Sequence, residues 1–274
     1  MNRKEIAQET LRIQEQGYYK YGNEQIDFAE AQKFSEKNSE LIDPKQGKDI
    51  VKEYLNLPKL QQQSVYSLGN EATVKAIIDF AATGKEKIGV LNFASAKNPG
   101  GGFLKGAMAQ EESLAASSGL YKTQLCNEGY YKANRSNRSM MYTNYAIYSP
   151  DVVFFRDERF ALMKQPVTAS VLTLPAVNYG QALAKGEDSQ EAERVMKDRM
   201  RLALALFAYK GDKHLILGAY GCGVFRNDPQ KIATWWRELL EDEGFGQLFT
   251  EIRFAVLDTS KNHSCISAFT NIVE

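Results

Sequence analysis

Glu111 and Glu112 are the residues best placed to do chemistry, two adjacent carboxylates closing the glycine-rich stretch NPGGGFLKGAMAQEE, 98–112. Acidic side chains in the first turn of a helix ordinarily complement the positive end of its dipole. Neighbours on a helix point about 100° apart, so only one of the pair can aim squarely at a bond while the other orients what is bound. A helix start lowers a carboxyl pKa, which is wrong for an acid, and a bound pyrophosphate would push it back up. Gly100, Gly101 and Gly102 permit positive φ and let backbone N–H groups come close to a ligand. A second stretch, GAYGCGVFRNDP at 218–229, repeats the device with Gly221 and Gly223 flanking Cys222. The helix that follows adds its positive end. Either stretch alone reads as a tight strand-to-helix turn; two facing one cleft suit a diphosphate. Neither matches the Walker pattern, and neither is a good dinucleotide fingerprint.

The elements that must hold these loops alternate between strand and helix from Ser64 onward. IGVLNFA (88–94) is an apolar run of strand length, as expected for a strand buried on both faces. SVYSL, NYAIYSP, VVFFRD, VTASVLTLP, HLILGAY and IRFAVLD are the other strand candidates. Helices are predicted from Asn70, as cap, through Ala82, over 110–123, over 189–209, around Trp235–Trp236, and over 262–273. Met196, Met200, Ala203 and Phe207 share one helical face, which is a core stripe. The polar stretch NEGYYKANRSNRSM, 127–140, reads as a loop or lid. Strands interleaved with helices give an α/β fold, a mixed central sheet covered on both faces. Each glycine loop then lies where an open α/β sheet holds its ligand, beyond the carboxyl ends of strands. Residues 1–62 differ: polar, without a strand-like run, and writable as helices over 3–16, 28–38 and 46–55. The organisation expected is an N-terminal helical extension, 1–62, packed on a main domain, 63–274.

The bulk numbers narrow the function. The chain has 274 residues, 43% hydrophobic and 25% charged, enough for a sizeable core. Its 34 basic and 34 acidic side chains cancel, so direct nucleic-acid binding is not expected and an anion must be held by local groups. The N-terminus is charged, and the longest apolar run is LALALFAY, far short of the roughly 20 residues that cross a bilayer. Cys126, Cys222 and Cys265 stand far apart and only two histidines are present, so neither a disulfide framework nor a metal site is expected. The reading is a cytoplasmic, metal-free protein, monomeric and without a cofactor.

Gly100–Gly102, seven residues, then Gln110-Glu111-Glu112 resembles the GGG…QEE signature of poly(ADP-ribose) glycohydrolases. NFASAKNPGGGFLKGAMAQEESL, IYSPDVVFFRDE, GAYGCGVFRNDP and the QGYY of the opening segment resemble the bacterial-type family in particular, so the likeness spans nearly the whole chain. The resemblance implies a three-layer α/β/α macrodomain. It implies Glu112 as catalytic acid/base, with Glu111 positioning the distal ribose. Gly100–Gly102 would wrap that ribose and the diphosphate, with Asn98 at the ribose hydroxyls and Gln110 also in the substrate site. Gly221, Cys222, Gly223 and Val224 would hold the diphosphate through their backbone, with Phe225 near the distal ribose. The implied reaction is mainly exo cleavage of ribose–ribose bonds in poly(ADP-ribose) on modified proteins, releasing ADP-ribose. The alternatives are a macrodomain that only binds ADP-ribose and a mono-ADP-ribosyl hydrolase. One departure stands out: the family often carries Arg where this chain has Ala116, a change expected to touch packing rather than chemistry.

Overall fold

The computed structural model describes residues 2–55 and 64–273; the boundary expected at 62/63 falls outside them. Helices are α1 Arg3–Gln16, α2 Ala29–Asn38, α3 Pro44–Glu53, α4 Thr73–Ala82, α5 Gln110–Ser117, α6 Leu120–Leu125, α7 Glu128–Ser136, α8 Tyr179–Ala184, α9 Ser189–Lys210, α10 Pro229–Arg237 and α11 Ser264–Ser267. Strands are β1 Tyr18–Tyr21, β2 Glu24–Asp27, β3 Glu40–Ile42, β4 Val65–Gly69, β5 Ile88–Phe93, β6 Ala146–Arg156, β7 Leu162–Leu174, β8 His214–Leu217 and β9 Glu251–Ala255. Apart from the β1–β2 hairpin, the described strands form one seven-stranded sheet, ordered β3-β6-β7-β5-β8-β9-β4. β3 and β7 pair antiparallel with β6, while the ladders from β7 through β5, β8 and β9 to β4 are parallel, so the sheet is mixed.

The alternation of side chains along each strand divides the interior into two layers. Leu91, Leu172, Leu215, Leu217, Ile252 and Phe254 face α9, α10 and α3. Val90, Val171, Ile216 and Ala255 face α4 and the start of α6. The face of α9 carrying Met196, Met200, Ala203 and Phe207 is fully buried in the first layer, as its spacing predicts. Caps fix where the helices begin: Asp188 accepts from Glu191 N–H at 2.8 Å, and Asp43 and Asp228 cap helices that open on proline. At the amino ends of the parallel strands Asp212 is buried, its two carboxylate oxygens sharing the one Tyr148 O–H donor at 3.2 and 3.0 Å. Burial pushes its pKa up to about 7.

Several sequence expectations are corrected. Residues 1–55 are not purely helical: Tyr18–Tyr21 and Glu24–Asp27 form a hairpin, and Glu40–Ile42 joins the central sheet. Strands of three or four residues are too short to show a period against a polar background. The stretch 127–140 is not irregular, since α7 occupies most of it and buries Tyr130, Tyr131 and Asn134. The helix predicted over 110–123 breaks at Ser118, which turns extended and bridges to Phe154. NYAIYSP and VVFFRD belong to one long strand, β6, with an irregularity between Ser149 and Val152. Asn70 does not cap α4. Its amide pairs with Asp258, donating to the carbonyl at 3.1 Å and accepting from the N–H at 2.9 Å, and so ties the β4 end to the β9 end. The closing helix shrinks to α11 and a 3-10 turn over Thr270–Ile272.

Candidate active site

β5 and β8 are parallel neighbours, with Val90 opposite Ile216. The glycine stretches that leave their carboxyl ends therefore emerge side by side, strands in a sheet being about 4.8 Å apart. The first runs from Ala94 to Ala109, the second from Gly218 to Asp228.

In the first loop Gly100 and Gly101 have φ of 62° and 58°, the left-handed region that favours glycine. Gly101 is also confined by what it faces: a Cβ there would lie 2.4 Å from Glu112 Oε1 and 3.1 Å from Glu111 Oε2. Both carboxylates thus converge on one glycine. Their settings differ. Glu112 is half-buried; its Oε1 accepts from Gly102 N–H at 2.9 Å and its Oε2 from Ala109 N–H at 3.0 Å. These bonds cap α5 and hold the carboxylate against the loop.

Glu111 lies beneath, 3% exposed. Its Oε1 accepts from Asn92 Nδ2 at 3.2 Å and Gln124 Nε2 at 2.9 Å, and its Oε2 from Ser95 N–H at 2.6 Å. Burial pushes its pKa up to about 8, and the three N–H donors pull the other way. The expected lowering at a helix start is reversed at this residue, because loss of water outweighs the dipole. Gln124 extends the network, its Oε1 accepting from Gly100 N–H at 2.8 Å, so one amide links the buried carboxyl to the glycine turn. Asn98 is exposed; its carbonyl accepts from Gly101 N–H at 3.0 Å, leaving its side chain outward at the rim.

Gln110 is tied into the neighbouring strand. Its Oε1 accepts from Phe93 N–H at 2.8 Å, and its Nε2 donates to Leu91 C=O at 2.8 Å and Thr73 Oγ1 at 3.3 Å. With both ends of the amide on strand backbone, Gln110 stitches α5 to β5.

In the second loop Gly221, at φ 74°, abuts Ala176 and Asn227, each within 2.7 Å of where a Cβ would be. Buried Asn227 donates to Val177 C=O at 2.8 Å and Gly221 C=O at 3.0 Å, fastening this loop to the chain beyond β7. Gly223 has open space around it, and Val224 is 84% exposed. Cys222 is half-buried, its thiol donating to the Tyr220 carbonyl at 3.8 Å, with Cys265 at the start of α11 as a neighbour. Phe225 packs partly against the core and lies 5.9 Å, centroid to centroid, from the Tyr142 ring. The positive end of α10 is already met by Asp228, which accepts from Gln230 N–H at 2.9 Å. Ala116 is buried with Ala7, Phe103 and Ala115, and its carbonyl accepts from Thr10 Oγ1 at 2.7 Å.

Asn92, Ser95 and Gln124 were not singled out from sequence. Asn92 carried a signal, a polar residue inside the apolar run IGVLNF; Gln124 and Ser95 carried none. The stretch 127–140 and the closing segment 262–273 flank the loops. Tyr130 and Arg135 of α7 donate to the carbonyls of Ser95 and Lys97, at 3.4 and 2.8 Å, and α11 meets Cys222. Among the described residues no helix is long and apolar enough to cross a membrane.

Comparison with known proteins gives a consistent picture. Residues 7–157 match the family described as microbial-type PARG, catalytic domain. The structure is similar to poly(ADP-ribose) glycohydrolase from Thermomonospora curvata, with 34% identity, 98% of each chain covered and a TM-score of 0.93. The same enzyme bound to the inhibitor ADP-HPD matches with a TM-score of 0.91, at 34% identity over 98% of each chain. Poly(ADP-ribose) glycohydrolase from Deinococcus radiodurans in complex with ADP-ribose matches at 39% identity, covering 89% of this chain and 97% of that one, with a TM-score of 0.83. No curated protein sequence gives a significant match.

Proposed function

The chain belongs to the microbial-type poly(ADP-ribose) glycohydrolase family, and from that premise we propose that Glu112 is the acid/base with which it cuts ribose–ribose bonds. The observation that carries the assignment is the convergence of both carboxylates on Gly101, with Glu112 the more accessible of the two. Glu112 donates a proton to the departing ribose 2′-oxygen as the glycosidic bond lengthens. Water then attacks the anomeric carbon, and the Glu112 carboxylate takes its proton. The products are ADP-ribose and a chain shorter by one unit. Glu111, buried beneath, orients the distal ribose. Gly100–Gly102 wrap the distal ribose and the diphosphate, and the backbone of Gly221–Val224 holds the diphosphate, whose negative charge lies near the developing oxocarbenium ion. Phe225 borders the distal ribose and Asn98 its hydroxyls.

Exo action belongs to the same reading. α7 and α11 brace the two loops from their flanks and are the candidate walls that enclose a terminal adenosine. The reading also takes residues 63–274 as the catalytic body with 1–62 as its buttress. It has the enzyme working in the cytoplasm as a metal-free monomer on modified proteins.

Incubation with poly(ADP-ribose), followed by chromatography of early products, tests it. Wild-type protein should release ADP-ribose monomers, and Glu112→Gln should slow release by about 10²–10⁴-fold with ADP-ribose binding kept. Near-normal turnover in the variant removes Glu112 from the mechanism, and abundant early oligomers refute exo action. A protein that binds ADP-ribose yet releases nothing is a binding module, and one that strips single units from side chains is a mono-ADP-ribosyl hydrolase.

A further inference from the structure

Tyr142 lies in the segment joining α7 to β6 and is held at φ 59°, in the left-handed region that bulky side chains avoid. Strain of that kind persists only where the surroundings dictate it, and here the neighbours on both sides are pinned. Before it, Ser139 Oγ donates to the Glu187 carboxylate, which also accepts from Met140 N–H at 2.8 Å. Met140 C=O accepts from Asn178 N–H at 3.0 Å. After it, Thr143 donates through its N–H and its hydroxyl to Asn134 Oδ1, each at 2.9 Å. Arg199 of α9 closes the set. It is fully buried, and its guanidinium donates to Met141 C=O at 2.7 Å, Asn144 Oδ1 at 3.0 Å and Pro175 C=O at 3.0 Å. A buried charge must find hydrogen bonds, so Arg199 fixes the chain on either side of Tyr142.

What this strap presents is a ring against Phe225. The two ring centroids are 5.9 Å apart and the planes are tilted by 46°. Both side chains are half-buried, and both residues are fastened to the first turn of α8. Asn178, which caps that helix, donates from Nδ2 to the Tyr142 hydroxyl at 3.4 Å, and Gly180 N–H donates to Phe225 C=O at 3.0 Å. A Cβ on Gly180 would lie 2.9 Å from Arg226 Cδ, and Arg226 itself stands at φ 59°. Backbone strain is therefore held on both sides of the Tyr142–Phe225 contact, although the hydrolytic scheme makes no use of Tyr142.

We propose that Tyr142 is a positioning residue for the hydrolysis: its ring is the back wall that holds Phe225 against the distal ribose. This role rests on the reading that Phe225 borders that ribose while Glu112 acts on its glycosidic bond. Phe225 follows Gly223, which has open space around it, and the exposed Val224, so support for its ring has to come from another element. A tilted aromatic pair supplies it. A reacting centre misplaced by about 1 Å can cost about 10²-fold in rate. Loosening the ring should therefore act on kcat, while the diphosphate contacts, which Tyr142 does not touch, keep KM.

The test is a double-variant cycle in kcat on poly(ADP-ribose), with Tyr142→Ala, Phe225→Ala and the two together, each read beside its melting curve. Tyr142→Ala should lower kcat about tenfold with KM within about twofold of wild type. Tyr142→Phe, which keeps the ring and drops only the hydroxyl, should restore it. The double variant should be no slower than Phe225→Ala alone, because residues that act through one contact do not add. Tyr142→Gly should melt above Tyr142→Ala, since glycine takes positive φ without strain, and should turn over no faster. Multiplied losses in the double variant, or wild-type kcat in the folded fraction of Tyr142→Ala, overturn the coupling while leaving Phe225 in place. Normal turnover in Phe225→Ala overturns the placement of that ring and the role of Tyr142 with it. A fault in the acid/base assignment shows in Glu112→Gln instead.

Discussion

Glu111 and Asp212 are buried carboxyls at opposite ends of the parallel strands, and both bind their protons more tightly than an exposed acid does. Unfolded, each would titrate near about 4. The native chain therefore holds protons that the unfolded chain releases between about pH 4 and 8. Their contribution to stability is fully present below that window and is lost as pH rises through about 7 for Asp212 and about 8 for Glu111. A tenfold change in proton affinity is worth about 1.4 kcal/mol, so the loss should reach a few kcal/mol. Urea unfolding at pH 5 and pH 8 measures it: Asp212→Asn and Glu111→Gln should each flatten the decline seen in wild type. A variant with an unchanged slope would exclude its residue as a source. Sequence alone made the Glu pair legible, because a glycine turn ahead of two acids is a local pattern. Which of the two lies deep was not legible. That depends on Asn92, Ser95 and Gln124 closing over Glu111, and only the folded chain brings them together.

The short helix α5 is held at its start by side chains more than by its own length. Gln110 takes one donor and one acceptor from β5, and Glu112 takes the N–H groups of Gly102 and Ala109. Gln110→Ala leaves a part-buried N–H and C=O without partners, at a cost of about 1–3 kcal/mol. The same change frees the turn that aims both glutamates, so kcat should drop further than the fraction folded does. Melting curves read beside turnover check this; full activity in the folded fraction would mean the stitch matters only for stability. Helices α1, α4, α9 and α10 could be placed from their residue patterns, although the cap expected for α4 at Asn70 was not the one used. The break at Ser118 and the helix α7 could not. Ser118 departs from helical form to bridge Phe154, a partner 36 residues away, and the buried Tyr130, Tyr131 and Asn134 sit in a stretch that reads polar throughout.

For the molecule as a whole, the alternation of strand and helix announced a covered mixed sheet, but not the order of its strands. That β5 and β8 are neighbours, which sets the two glycine loops side by side, follows from pairing choices with no signature in either strand. The least legible part was the beginning of the chain. Three residues, Glu40–Ile42, pair with Ala146–Tyr148 and close one side of the sheet, while Tyr19 and Phe28 cover Val153 and Phe155 nearby. β6 is eleven residues long and largely apolar, and without that cover it would present a row of open backbone donors and acceptors. Such a row is a template for a strand from another molecule. The opening segment thus doubles as a guard against self-association. A chain started at Ser64 should elute from size-exclusion chromatography as concentration-dependent oligomers, and a stable monomer would show that β6 protects itself.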